Sequence, residues 1–264
     1  MKVKLAIREE KFYNNGKLLI DSIALESGEK LEDKFREALN TNILLDSTTR
    51  RKKNKKCYKG VGADDLNAKI RECLKDISGI NGETHVENGF FMGSSSKNGF
   101  DFSMYDKENN FSRLYNYYVG EQGILNGDEK INNLSDDARE SLSKSEFAEK
   151  VEKVKISLGG YNRDYIVEKK SLSIVGEIQF GNWALAYRDI IKLLNANLNP
   201  GVDFYIYITA TGDLKDMLSE GIVHYKKIND VIQENISLLQ IPTWVIGLDI
   251  CDVEEKDNNE SEIK

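Results

Sequence analysis

The stretch from Arg163 to Asn195, RDYIVEKKSLSIVGEIQFGNWALAYRDIIKLLN, constrains this chain more than any other. Around Glu177 it alternates with the period of a strand. Ile174, Gly176, Ile178 and Phe180 fall on one face, and Val175, Glu177 and Gln179 on the other. The first face suits a core, while the second sets two polar groups side by side. Upstream, Asp164 opens another extended run, and the polar segment from Glu168 to Ser171 lets the chain fold back. An antiparallel return would bring Asp164 beside Glu177, with Glu168 as the rival acid. Downstream, Trp183, Tyr187, Ile190, Ile191 and Leu194 share one helical face, opposite Arg188, Lys192 and Asn195. The expected unit is a β-hairpin that runs into an amphipathic helix, with Trp183 packing into the core.

Two carboxylates converging at the end of a sheet repel each other unless a divalent cation neutralises them. Oxygen-only donors favour magnesium over zinc. The cysteines argue the same way: Cys57, Cys73 and Cys251 are far apart with no Cys-x-x-Cys pair, and His85 and His224 are the only histidines.

The run Glu177-Ile-Gln-Phe-Gly-Asn182, followed by Ala186-Tyr187 and Asp189, resembles the type II restriction endonucleases related to BglII and BstYI. An apolar strand, then Met217-Leu-Ser-Glu-Gly-Ile-Val-His-Tyr225, then Ile241-Pro-Thr-Trp-Val-Ile-Gly-Leu248 follow in the order that family shows. The resemblance implies an α/β fold of the PD-(D/E)XK restriction-endonuclease-like type, a central mixed β-sheet flanked by helices. It implies catalytic roles for Asp164, Glu177 and Gln179, with magnesium on Asp164 and Glu177. Asn182 matches a base-contacting position of the family; as a turn residue it could equally cap the helix that follows.

The formal net charge of −7 speaks superficially against a nucleic-acid partner. Six acids and two lysines between Asp252 and Lys264 supply more than half of it, however. That segment reads as an acidic, disordered tail on a single domain of residues 1–251, with the catalytic core at about 160–250. Arg50 to Lys59, RRKKNKKCYK, holds seven positive side chains and no acid. Lys52, Lys53, Lys55 and Lys56 are therefore candidate phosphate contacts, against the alternative of a solvated loop. His224, Lys226 and Lys227 are candidates of the same kind. No apolar run approaches the span of a bilayer, and the N-terminus lacks a secretory pattern, so a cytoplasmic protein with no membrane association is expected.

Elsewhere the patterning is coarser. Lys2 to Ile7 and Leu18 to Ile23 read as short strands, and from Glu29 onward Leu31, Phe35, Ala38 and Leu39 share the face of a helix with Ser27 as cap, Asn40 near its stop and its acids on a solvated face. A helix opens at Asp64 and stops at Gly79. Between Gly79 and Gly127 the Gly, Asn and Ser content suggests hairpins and long loops, with Tyr115, Tyr117 and Tyr118 in a half-buried sheet. Ser135 to Leu158 reads as one charged helix, and Asp203 to Thr209 and Trp244 to Ile250 as sheet strands.

These readings converge on a magnesium-dependent endonuclease that cuts double-stranded DNA at a palindrome, acting as a homodimer. The resemblance further implies a site containing GATC, four-base 5′ extensions and a separate cognate DNA methyltransferase. Two alternatives remain at this stage: a repair or recombination nuclease of the same superfamily that reads DNA shape, and a DNA-binding protein that keeps the fold without turnover.

Overall fold

The structure is a computed structural model that describes residues 1–51, 57–93, 99–121, 135–144, 146–160, 163–198 and 200–254. Its organising element is a six-stranded sheet in the order β2-β1-β10-β9-β8-β7. Those strands are β1 (Lys2–Tyr13), β2 (Asn42–Leu44), β7 (Phe102–Met104), β8 (Ile174–Ile178), β9 (Phe204–Ala210) and β10 (Thr243–Glu254). The central trio β8, β9 and β10 is parallel, and both flanks are antiparallel. Every residue of β8 and β9 is buried, as expected of parallel strands covered on both faces.

Alternation in β9 and β10 assigns the two faces. Phe204, Ile206, Ile208, Trp244, Ile246 and Leu248 point into one core. That core is roofed by α1 (Gly16–Ser22), α2 (Leu31–Leu39) and α3 (Ala63–Leu74) through Ile20, Phe35, Leu39, Leu66 and Ile70. Tyr205, Tyr207 and Val245 point into the other, beneath α7 (Ala184–Ala196) and α9 (Tyr225–Glu234). Each of these two helices belongs to a crossover between parallel strands: α7 joins β8 to β9, and α9, preceded by the short α8 (Gly212–Met217), joins β9 to β10. The result is the expected mixed sheet flanked by helices.

Strands β7 and β8 are paired with each other but lie far apart in sequence. Between them the chain forms α4 (Lys107–Tyr118), α5 (Asp136–Lys144) and α6 (Phe147–Ser157), then returns along residues 163–173 as an extended strap without strand pairing. Two short ribbons complete the fold, β3 (Ser47–Arg51) with β4 (Cys57–Val61), and β5 (Val86–Glu87) with β6 (Phe90–Phe91).

Several sequence expectations change here. The strap does not form the hairpin expected between Asp164 and Glu177, because helix α4 takes up its backbone polar groups. The Asn109 and Asn116 amide groups donate to the Val167 and Tyr165 carbonyls, and Asn116 Oδ1 and Ser112 Oγ accept from the Tyr165 and Val167 N–H groups. The tyrosines expected in a sheet belong to that helix. Asp106 caps it by accepting from the N–H groups of Glu108 and Asn109, and Phe111, Tyr115 and Tyr118 line its buried side.

Leu18 to Ile23 is largely helical, since α1 ends at Ser22. The charged segment from Ser135 to Leu158 is broken into α5 and α6. Strand β10 runs past the expected tail boundary, with Asp252 and Glu254 opposite Lys4 and Lys2; residues 255–264 lie outside the described residues. Among the described residues no helix is long and apolar enough to cross a membrane.

Candidate active site

Glu177 is the next-to-last residue of the buried strand β8, which sits between β7 and β9. Its antiparallel partner sets what faces it. Phe102 pairs with Gly176, so one step further along the same register Asp101 stands opposite Glu177. Residues opposite each other in an antiparallel pair project from the same face. The glycine makes this close approach possible, since a Cβ at position 176 would overlap the Phe102 ring. Asp101 is fixed in place: Oδ2 accepts from the Ile178 N–H at 2.7 Å, and Oδ1 meets the Arg71 guanidinium, which also reaches Glu83 at 3.0 Å.

The acid beside Glu177 is therefore Asp101, and the expectation for Asp164 is corrected. Asp164 is exposed and lies past the end of α4, where it accepts from the Glu121 N–H at 3.0 Å. Its rival Glu168 is an exposed residue of the strap. Asp101 escaped the sequence reading because a long intervening segment, including α4, α5 and α6, separates it from β8. The one signal was an acid inside the aromatic run Phe100-Asp-Phe102 at the start of a strand.

Gln179 follows Glu177 by two residues and shares its side of the strand. Gln179 Oε1 accepts from the Gly181 N–H at 2.9 Å, while Nε2 donates to Asp189 Oδ2 at 3.3 Å. Asp189, on α7, is completely buried. It also accepts from the Tyr207 hydroxyl at 3.1 Å and from Arg188 at 3.0 Å. The two ends of the Gln179 amide thus have different partners, which fixes which way the amide points. Burial and Asp189 raise the Tyr207 hydroxyl well above its ordinary range and keep it a donor.

Helix α7 was expected to bury Trp183 and Ile191. Instead it buries Ala186, Asp189, Ile190, Leu193 and Ala196, leaving Trp183 46% and Ile191 58% exposed. Rotation towards Asp189 is what the bonds to Tyr207 and Gln179 require. The same rotation sends Arg188, Lys192 and Asn195, spaced i, i+4, i+7, along one wall of a cleft of about 830 Å³. Asp101, Glu177 and Gln179 form its floor, and Arg71, His85 and Glu87 also line it.

Among the described residues four acids in or beside the cleft meet bases. Asp101 meets Arg71, Glu177 meets Lys192, Asp189 meets Arg188 at 3.0 Å, and Glu87 meets His85 at 3.2 Å. Burial pushes the Glu177 carboxyl well above the usual carboxylate range, against the pull of Lys192, and Asp189 and Asp101 push the same way. Glu87 goes the other way. Although burial opposes it, bonds from His85 and Ser135 hold it down at about 2.

The donor set fits magnesium. Glu177 and Asp101 provide two hard carboxylates at an open cleft, and magnesium is commonly held by one or two carboxylates while it keeps water and substrate oxygens. Among the described residues no group of three or more His, Cys, Asp or Glu side chains forms a closed cage. A site completed by a substrate phosphate does not need one.

The other candidates are dispersed. Asn182 Oδ1 accepts from the Ala184 N–H at 2.9 Å and so caps the start of α7, while the residue itself stays exposed. His224 caps α9 by accepting from the Lys227 N–H at 3.4 Å. Burial, with Lys215, lowers its pKa, so at neutral pH it is no cation for a phosphate. Lys226 is exposed, and the Lys227 ammonium lies over the Trp183 and Tyr187 rings at 5.1 and 5.5 Å. The basic segment is flanked by the β3–β4 ribbon, whose pairing reaches Arg51 and Cys57; Lys52, Lys53, Lys55 and Lys56 lie outside the described residues.

Residues 25–248 match the family described as restriction endonuclease BglII/BglIII. Among solved structures the chain is similar to a crystal structure of restriction endonuclease BglII complexed with a DNA 16-mer. The identity is 10% and the TM-score 0.47, over 92% of this chain and 75% of that one. No curated protein matches the chain.

Proposed function

Since the chain belongs to the BglII/BglIII restriction endonuclease family and is thereby a site-specific DNA nuclease, we propose that it hydrolyses both strands of duplex DNA with magnesium, at a cleft centred on Asp101, Glu177 and Gln179. The observation that carries this reading is the register of β7 against β8, which sets Asp101 opposite Glu177 with Gln179 two residues on. In this reading Asp101 replaces Asp164 as the partner of Glu177.

Asp101 and Glu177 would hold the metal. Bound there, magnesium polarises a phosphoryl oxygen and lowers the pKa of a bound water. The rest falls to the chain. Gln179 stands where a lysine is usual in the PD-(D/E)XK pattern, and a neutral amide cannot act as a general base. Its task is to orient the attacking water by hydrogen bonding. Asp189 and the Gly181 N–H hold that amide in one orientation. The buried floor formed by β8 and β9 keeps bulk water from the far side of the site.

Asn182, exposed beside the cleft at the start of α7, is assigned to reading a base with the part of its amide that the cap leaves free. Lys52, Lys53, Lys55, Lys56 and Lys226 would add phosphate contacts that contribute affinity without selecting sequence. The target is proposed to be a palindrome containing GATC, cut to leave four-base 5′ extensions. A homodimer matches the two-fold symmetry of such a site. The enzyme is placed in the cytoplasm beside a separate methyltransferase that protects host DNA.

Incubation with long duplex DNA and magnesium, followed by sequencing of the ends, tests the whole reading. One recurrent sequence with uniform 5′ extensions is expected. No cleavage by the wild type across metals and salt concentrations would overturn it.

A further inference from the structure

Among the described residues four acids in or beside the cleft meet bases of the same chain, and in the pair of Glu177 with Lys192 both side chains are largely buried. Arg71 and Arg188 approach their acids from half-exposed positions. Lys192 reaches inward from the middle of α7. Its side chain is 14% exposed and that of Glu177 4%, and the ammonium also donates to the Gly99 carbonyl at 2.8 Å. The Phe100 ring lies under the ammonium at 4.7 Å. A buried ammonium held by one carboxylate, one carbonyl and one aromatic face has the donors and charge balance of a small cation site. The ammonium occupies Glu177 Oε1, so a metal ion that takes this oxygen must displace Lys192 from it.

We propose that Lys192 is the resident counterion of Glu177, and that it exchanges this carboxylate for a phosphate of the bound DNA, thereby releasing Glu177 to the metal. The inference deepens the nuclease reading and rests on it. Its physical basis is charge conservation in a poorly hydrated place. Removing the ammonium from Glu177 without a new anion strands a buried positive charge, and a phosphodiester supplies that anion at the moment a divalent ion supplies Glu177 with a cation. Metal and DNA must then bind cooperatively, each strengthening the other by the same factor. Free protein is expected to hold divalent ions weakly, which limits unguided hydrolysis.

The test uses the full chain and calcium, which occupies magnesium-type carboxylate sites and allows binding to be measured without turnover. Calcium is titrated calorimetrically at mildly alkaline pH into wild type, Lys192→Met and Lys192→Arg, with and without a duplex carrying the recognition sequence. Lys192→Met keeps the aliphatic stem and removes the competitor. Without DNA it should bind calcium roughly tenfold tighter than wild type, and the gain in calcium affinity on adding DNA should shrink by a similar factor. Lys192→Arg keeps the charge and should retain the wild-type coupling. The salt dependence of DNA binding by Lys192→Met should lose about one counterion.

A folded Lys192→Met protein whose calcium affinity without DNA is unchanged or weaker overturns the proposal, as does coupling that survives the substitution. Glu177→Ala separates this from the wider reading. If that variant still cleaves DNA, the nuclease assignment to this cleft fails. If it is inactive while Lys192→Met shows no change in coupling, only the counterion exchange fails.

Discussion

Exchanging Asp101 for asparagine, with Asp164→Asn as its counterpart, is the sharpest test of where the active site lies. Asparagine preserves the shape of Asp101 and an acceptor for the Ile178 N–H, so β7 and β8 should stay in register. The pair with Arg71 is lost, but that guanidinium is 37% exposed, and screened pairs of this kind contribute under about 1 kcal/mol. Unfolding temperature should barely move. Catalysis should move a great deal. Two unit charges about 4 Å apart interact by about 4 kcal/mol at an effective dielectric of about 20, and a divalent ion doubles that to about 8.

Allowing about half of this for altered hydration leaves about 4 kcal/mol, or about three powers of ten in rate. Asp164→Asn touches neither the cleft nor its charges, and it retains an acceptor for the Glu121 N–H. Its rate should stay within about twofold of wild type, as for other surface substitutions. The assay is single-turnover cleavage of a duplex with magnesium, accompanied by DNA binding with calcium and a thermal melt for each variant. A large loss in Asp164→Asn with little change in Asp101→Asn would refute the register argument, whatever the fold.

Three further outcomes are expected. Asp189→Asn lets position 189 donate as well as accept, so the Gln179 amide loses its fixed direction; cleavage should fall roughly 10- to 100-fold with calcium-supported DNA binding unchanged, and the loss should not add to that of Gln179→Leu. Gly176→Ala drives a methyl group into the Phe102 ring and should lower stability by about 1–3 kcal/mol in a denaturant titration, with Phe102→Leu restoring part of it. Glu87→Gln should be less stable than wild type at neutral pH by about 1 kcal/mol after discounting for partial exposure. Because the folded-state value is depressed from 4.5 to about 2, the difference should be complete above pH 4.5 and disappear as pH falls towards 2, read from melts across that range.

Of the candidate site, the shared face of Glu177 and Gln179 was legible in the sequence, and the position of Asp101 was not. Glu177 and Gln179 sit in one strand whose period of two shows directly which residues share a face, and β9 and β10 announced themselves by aromatic and β-branched density. Asp101 depends on a pairing across a long intervening segment, and nothing local to Phe100 or Phe102 names the partner. The strap misled for a physical reason. Tyr165, Ile166 and Val167 are an aromatic and β-branched run such as strands use, but the backbone groups of Tyr165 and Val167 bond to Asn109, Ser112 and Asn116 of a helix.

That helix carried its own signals, an acidic cap at Asp106 and buried residues at Phe111, Tyr115 and Tyr118 at helical spacing, outweighed in the reading by the glycines around them. The orientation of α7 is likewise hidden from the sequence. Its apolar pattern points to Trp183 and Ile191, whereas the bonds of Asp189 to Tyr207 and Gln179 make the face carrying that acid the buried one.

Because Asp101 and Glu177 are brought together only by the sheet, the proposed cutting centre cannot assemble on a ribosome until strands distant in the chain have paired. Strand β8 needs β9, and β9 needs β10, whose outer neighbour β1 was made first. Strand β10 therefore closes the ladder against β1. An unfinished or truncated product would carry the acids but not the geometry that makes them dangerous, which gives the host a safeguard written into chain connectivity.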